Sequence, residues 1–199
     1  MSVSLSMLLT ACSVNSDSEN IAQNKEQYLT QNSVSELANA SLDLEQIYSS
    51  VGGSNASISE VIDLAQNLAM SPEFINNHAL DTNGYVPVAA VAVQGILSLD
   101  ESAIQQSSHS NAFKNHALNI INGQQNIQSF REIVMGDDRL LISDKKVLLD
   151  AIDFSLISSE HGVDDEWRKR KFMGYVVAQQ VSSLNVVITA TVLNIAMKQ

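Results

Sequence analysis

Residues 172–197 form a stretch of 26 residues without a charge, bounded by Arg168-Lys169-Arg170-Lys171 before it and Lys198 after it. Such a stretch must leave water, either into a protein core or into lipid, and this constrains the fold more than any other feature of the chain. Met173, Val177, Val181, Leu184, Ile188, Val192 and Ile195 follow at steps of four and three, which is the helical period. In the earlier half the opposite face carries Gln179, Ser182 and Ser183, which suits water. In the later half Val186, Ala190 and Leu193 fill that face too. The pattern predicts one long helix over 165–198, the longest and most central of the molecule, with its last turns covered on most sides.

Two other readings compete. The length suits a membrane span, but Gln179, Gln180, Asn185 and Asn194 interrupt it, and polar groups inside a bilayer are costly. The β-branched run Val186-Val187-Ile188-Thr189 suits a strand, but the period is unbroken and no Gly or Pro follows Gly174. Asp164, Asp165 and Glu166 suit a helix start. They stand four residues before Arg168, Lys169 and Arg170, the better order for helix pairs. The basic run is therefore expected to be a solvated, internally paired first turn. Its rival is a patch for anionic lipid or glycan.

The rest of the chain reads as shorter helices. Leu37, Ser41, Leu44, Tyr48 and Val51 make the stripe of a helix within 21–50. Ser57-Ile-Ser-Glu60 is a capping box, and Ser71-Pro72 caps and starts a short helix to about Leu80. Asp81-Thr-Asn-Gly84 is a turn. Pro87 starts an Ala- and Val-rich helix expected to be mostly buried. A longer one spans 110–135, with Gly123 able to kink or split it. Ser143 is expected to cap the next. Phe74–Gly84 and Phe113–Gly123 echo each other, each holding Asn-His-Ala-Leu and then Asn-Gly, so a duplicated hairpin is one reading. The expected fold class is all-α, an irregular bundle of about six or seven helices packed around the C-terminal one.

At 199 residues the chain suits a single domain with a sizeable core. Its net charge of −11 is uneven: the first 99 residues hold ten acids and only Lys25. An acidic chain without a basic face argues against nucleic acid. The acidic half should also hold the domain away from anionic headgroups.

The N-terminal dozen residues end an apolar run in Leu9-Thr10-Ala11-Cys12, with the chain's one cysteine last. This resembles the lipobox of bacterial lipoproteins, and the resemblance covers these residues alone. It implies that 1–11 are a signal peptide and that Cys12 is lipidated and becomes the first mature residue. No positive region precedes the apolar run, unlike the family's signals; a start upstream or a weak export signal would account for that. Residues 12–20 read as lipidated cysteine and tether, and 21–199 as the folded domain. Ser13 after the cysteine implies the outer membrane, facing the periplasm. The implied partner is the membrane, through the anchor.

No nucleophile elbow, P-loop, dinucleotide fingerprint or zincin motif is present, and no Glu-x-x-His pair. No catalytic, cofactor or metal site is assigned from sequence. His161 near Asp164 and Asp165 is explained by cap and dipole roles. The leading expectation is a non-catalytic accessory module binding a protein or an envelope component. The alternative is a small-ligand binder or enzyme whose site lies between the His78 and His116 segments.

Overall fold

The computed structural model describes residues 33–51, 56–157 and 165–198. Cys12, the tether, Gly52, Gly53, His161 and Asp164 lie outside them. The fold is all-α, an irregular helical bundle. Among the described residues it has ten α-helices and one 3-10 turn, Ile127–Ser129. In chain order the α-helices are α1 Val34–Val51, α2 Ile58–Ala69, α3 Pro72–Asn77, α4 Ala90–Leu97, α5 Ser102–Gln105, α6 Asn111–Asn122, α7 Phe130–Gly136, α8 Ile142–Leu156, α9 Asp165–Ala178 and α10 Ser183–Ala196.

The count exceeds the expected six or seven because two long segments break and Ser102–Gln105 forms a further short helix. The first break is the most consequential: 165–198 is a helical hairpin, α9 and α10, and not one long helix. Gln179-Gln180-Val181-Ser182 turns the chain. Ser182 then caps α10, its hydroxyl accepting from the Asn185 N–H at 3.2 Å. Gly174 lets the two helices close on each other, since a Cβ there would lie 2.6 Å from Leu193 Cδ1. The back face of the early half is also not wet. Gln179 and Ser182 are buried, while Val181, expected in the apolar stripe, is exposed. The stripe otherwise holds, with Met173, Leu184, Ile188 and Val192 fully buried.

The basic run is only partly a solvated turn. Arg168 pairs with Asp165, and Lys169 and Arg170 with Glu166, so two of the pairs are at i,i+3. Lys169 and Lys171 are buried. Arg170 Nε donates to the Leu97 carbonyl at 2.8 Å, and Lys171 Nζ to that of Ile157 at 2.5 Å. Lys171 also sits over the Phe154 ring, 5.4 Å from its centroid. Burial pushes its ammonium down to about 8, against a smaller opposing pull from Glu45.

Helix α10 is the buried member of the hairpin and packs chiefly on α1 and α2, whereas α9 packs chiefly on α8. The polar side chains of α10 act as ties. Thr191 Oγ1 donates to the Ser41 carbonyl at 3.0 Å, and Asn194 Nδ2 donates to Glu45 Oε2 at 3.1 Å. Lys198 pairs with the same Glu45. Asn185 Nδ2 donates to the Val86 carbonyl at 2.7 Å, and the Ser183 hydroxyl accepts from the Asp81 N–H at 2.9 Å. Together they fix the loop between α3 and α4, whose turn needs Gly84 at φ +74.

Local signals elsewhere act as read, with exceptions. Ser57 and Glu60 form the capping box, and Ser71 caps α3, which stops at Asn77. Leu37, Ser41, Leu44 and Tyr48 face the core, but Val51 is exposed. Helix α4 begins at Ala90 without a side-chain cap and exposes Val91. Leu141, not Ser143, stands at the N-cap of α8. The sequence echo is not a structural repeat. His78 and Ala79 terminate α3, Ala79 at φ +48, whereas His116 and Ala117 lie inside α6. Among the described residues no helix is long and apolar enough to cross a membrane.

Candidate functional site

The long segment 110–135 breaks at Gly123, and the break makes a concavity. Ser110 caps α6, its hydroxyl accepting from the Phe113 N–H at 3.1 Å. The helix buries Phe113, Ala117, Ile120 and Ile121 on one face, which sets His116 beside them. At Gly123 the backbone turns extended, and a Cβ would lie 2.7 Å from the Asn119 carbonyl oxygen and 2.8 Å from Phe130 Cζ. Only a bare glycine lets the Phe130 ring lie this close to the helix end. The result is a cavity of about 350 Å³. His116 and Asn119 line it from α6, Gly123, Gln124 and Gln125 from the following loop, and Phe130 and Ile133 from α7. That volume lies at the small end of the usual range for ligand sites, roughly 300–1,000 Å³.

His116 is nine-tenths buried and held by one nitrogen. Its Nε2 lies 2.7 Å from Asp137 Oδ2. An ionised carboxylate only accepts, so Nε2 carries the proton and donates. Asp137 also accepts from Arg139 Nε at 2.9 Å, Arg139 Nη2 at 2.6 Å and the Arg139 backbone N–H at 2.9 Å. The Arg139 guanidinium, then His116, then the backbone N–H hold the Asp137 carboxyl well below the usual carboxylate range. His116 Nδ1 is buried and has no hydrogen-bond partner. The lining is otherwise amide and apolar, with no Lys, Arg, Asp or Glu. An imidazole that donates to a carboxylate through one nitrogen leaves the other unprotonated, and a lining without charged side chains suits a small uncharged molecule better than an ion.

His78 is not part of this cavity. It ends α3, lies 3.5 Å from Asp43 of α1, and tilts against Phe74. The two histidine segments named from the sequence thus have different neighbours, and only His116 borders the concavity.

A second histidine–aspartate pair stands at the start of α6. His109 Nδ1 lies 3.0 Å from Asp144 Oδ1, and its Nε2 lies 3.4 Å from Gln179 Nε2. An amide nitrogen donates, so His109 Nε2 accepts and Nδ1 carries the proton toward Asp144. Asp144 Oδ2 accepts from the Ser110 N–H at 3.3 Å, and the His109 ring stacks on Phe113 at 3.7 Å. This pair joins α6, α8 and the turn between α9 and α10, and leaves neither ring nitrogen for a ligand.

Sequence reading picked out His116 but not Asp137, Gln124, Gln125 or Phe130. Gly123 carried the one local signal, a glycine inside an apolar helical pattern. Among the described residues no three His, Cys, Asp or Glu side chains gather closely enough to hold a metal. Cys12, the one lipidation candidate, lies outside the described residues. No family model matches the chain, and it finds no match among curated proteins or among solved structures.

Proposed function

We propose that the chain is a bacterial envelope lipoprotein, anchored through acyl chains on Cys12 in the outer membrane and facing the periplasm. Its helical domain acts as a non-catalytic accessory module that binds a protein or an envelope component. The observation that carries this reading is Leu9-Thr10-Ala11-Cys12, the only cysteine, followed by the polar run Ser-Val-Asn-Ser-Asp-Ser-Glu-Asn. Several acyl chains at ~0.8 kcal/mol per buried CH₂ hold a protein firmly. Metabolic labelling with a palmitate analogue tests the anchor: wild type labels and Cys12→Ser does not. Equal labelling of the two would end the proposal. A pull-down from detergent-solubilised envelope tests the module, and recovery of lipid with no stable partner would count against it.

The His116 cavity supports a second reading, a small-ligand site. The ligand would be uncharged, with an apolar face toward Phe130 and Ile133 and hydroxyl or amide groups toward Asn119, Gln124 and Gln125. Titrating the protein with neutral monosaccharides while following side-chain amide signals by NMR tests it. Shifts confined to those three amides and the His116 imidazole support the site, and an unchanged spectrum at millimolar sugar removes it.

A further inference from the structure

Ten large apolar side chains are exposed among the described residues, and four of them fall within ten residues: Ile133, Met135, Leu141 and Ile142. They cluster where α7 ends and α8 begins, two helices that pack on each other. Lys145 Nζ of α8 donates to the Met135 carbonyl at 2.9 Å, which holds the corner together. Leu141 and Ile142 are consecutive, 60% and 88% exposed, and occupy the N-cap and first position of α8. Side chains exposed to this degree protrude.

We propose that this corner is a membrane-contact tip, inserting Leu141 and Ile142 into the interfacial region of a lipid bilayer. The shape favours lipid over a protein partner. A helix that docks in a protein groove shows anchors at i, i+3, i+4 and i+7, a stripe along its side. Here the apolar groups are adjacent residues at a helix end, joined by the end of the preceding helix. A fluid interface accepts such a tip without a matching groove. Charge agrees. Residues 131–146 hold four bases and four acids, so the chain's net −11 resides entirely outside them. Arg131 pairs with Asp153, Arg139 with Asp137 and Lys146 with Asp150, and Glu132, Asp138, Asp144 and Lys145 complete the local charges, four bases and six acids once Asp150 and Asp153 are included. An apolar tip carrying little of the net charge of an acidic protein is where a bilayer repels it least. Contact there would hold the domain against the membrane, not away from it as the acidic composition alone suggests.

The tip does not depend on the lipid anchor, so the test uses the full chain carrying Cys12→Ser. Its partitioning is measured on zwitterionic phosphatidylcholine vesicles and on vesicles with added phosphatidylglycerol. Insertion driven by apolar burial predicts binding to both, within a few-fold of each other. Adding Leu141→Ser and Ile142→Ser should weaken it roughly tenfold or more. Val91→Ser, at another exposed apolar residue, should leave it unchanged. Leu141, Ile142 and Val91 are all on the surface, and circular dichroism confirms that each variant folds. No vesicle binding by the parent chain, or equal binding by all variants, overturns the tip. So does a dimer that the double substitution dissociates, which would make the corner an interface between two copies. Failure of Cys12 labelling leaves this result untouched.

Discussion

His109 stands just before α6 and His116 within it, and each shares a hydrogen bond with an aspartate close in space and distant in sequence. The pairs differ in what the rest of the imidazole does. His109 has both nitrogens engaged, one face stacked on Phe113, and an aspartate that also receives a backbone N–H. His116 has one nitrogen engaged and the other buried without a partner, beside a cavity. A buried polar atom without a partner is costly, roughly 1–3 kcal/mol, and such atoms are few in folded proteins. The first pair is a joint between three parts of the fold. The second ties α6 to Asp137 alone and leaves one buried ring nitrogen over.

Four measurements break or sharpen this contrast. Asp144→Ala should have the largest effect. It leaves the His109 N–H and the Ser110 N–H, both part-buried, without their acceptor, and the loss should be about 3 kcal/mol by urea denaturation. If it costs no more than His116→Leu, the two pairs are equivalent and the contrast fails. Gly123→Ala comes next, at about 1–3 kcal/mol, because the new methyl group meets the Asn119 carbonyl and the Phe130 ring. A neutral result would mean that the cavity wall yields freely. His116→Leu should change stability by less than about 1 kcal/mol, since it removes an unpartnered nitrogen while Asp137 keeps Arg139.

The smallest effect is on the acid limb of stability against pH. The folded Asp137 carboxyl lies below its unfolded value, so the stability it contributes is present above the ordinary aspartate pKa of about 3.9. It is lost as pH falls from there through the depressed folded value. Arg139→Ala, which removes the largest cause, should flatten that limb more than His116→Leu does. The reverse order in acid titrations followed by circular dichroism would reassign the clamp to the histidine.

Helix starts were legible where a local cap marks them. Ser57 with Glu60, Ser71 with Pro72, and Ser110 each satisfy an N–H within three residues. The hairpin at 179–182 was not legible, because the apolar period runs through the turn without a break. What decides it is distant: Gln179 reaches His109, Asn185 reaches Val86, and Gly174 lies against Leu193. The same limit applied to the cavity. His116 was visible as a residue, but its orientation depends on Asp137, 21 positions away, and on a ring that only Gly123 admits. Leu141 likewise gives no capping signal, and its place at the start of α8 comes from the preceding turn, where the Leu140 N–H donates to the Asp137 carbonyl at 3.3 Å.

The hairpin also matters before the chain has folded. Insertion machinery weighs hydropathy over about 19 residues at a time, and 172–197 is uncharged over more than that length. Each folded helix of 14 residues is about 21 Å long, short of the ~30 Å hydrocarbon core. On the proposed route of export, the set of polar side chains inside the stretch opposes its lateral release into lipid. Gln179, Asn185 and Asn194 belong to that set, and in the folded protein they bond His109, Val86 and Glu45. Three amides thus make an apolar sequence costlier to bury in lipid, and the same three fasten the folded hairpin to its neighbours.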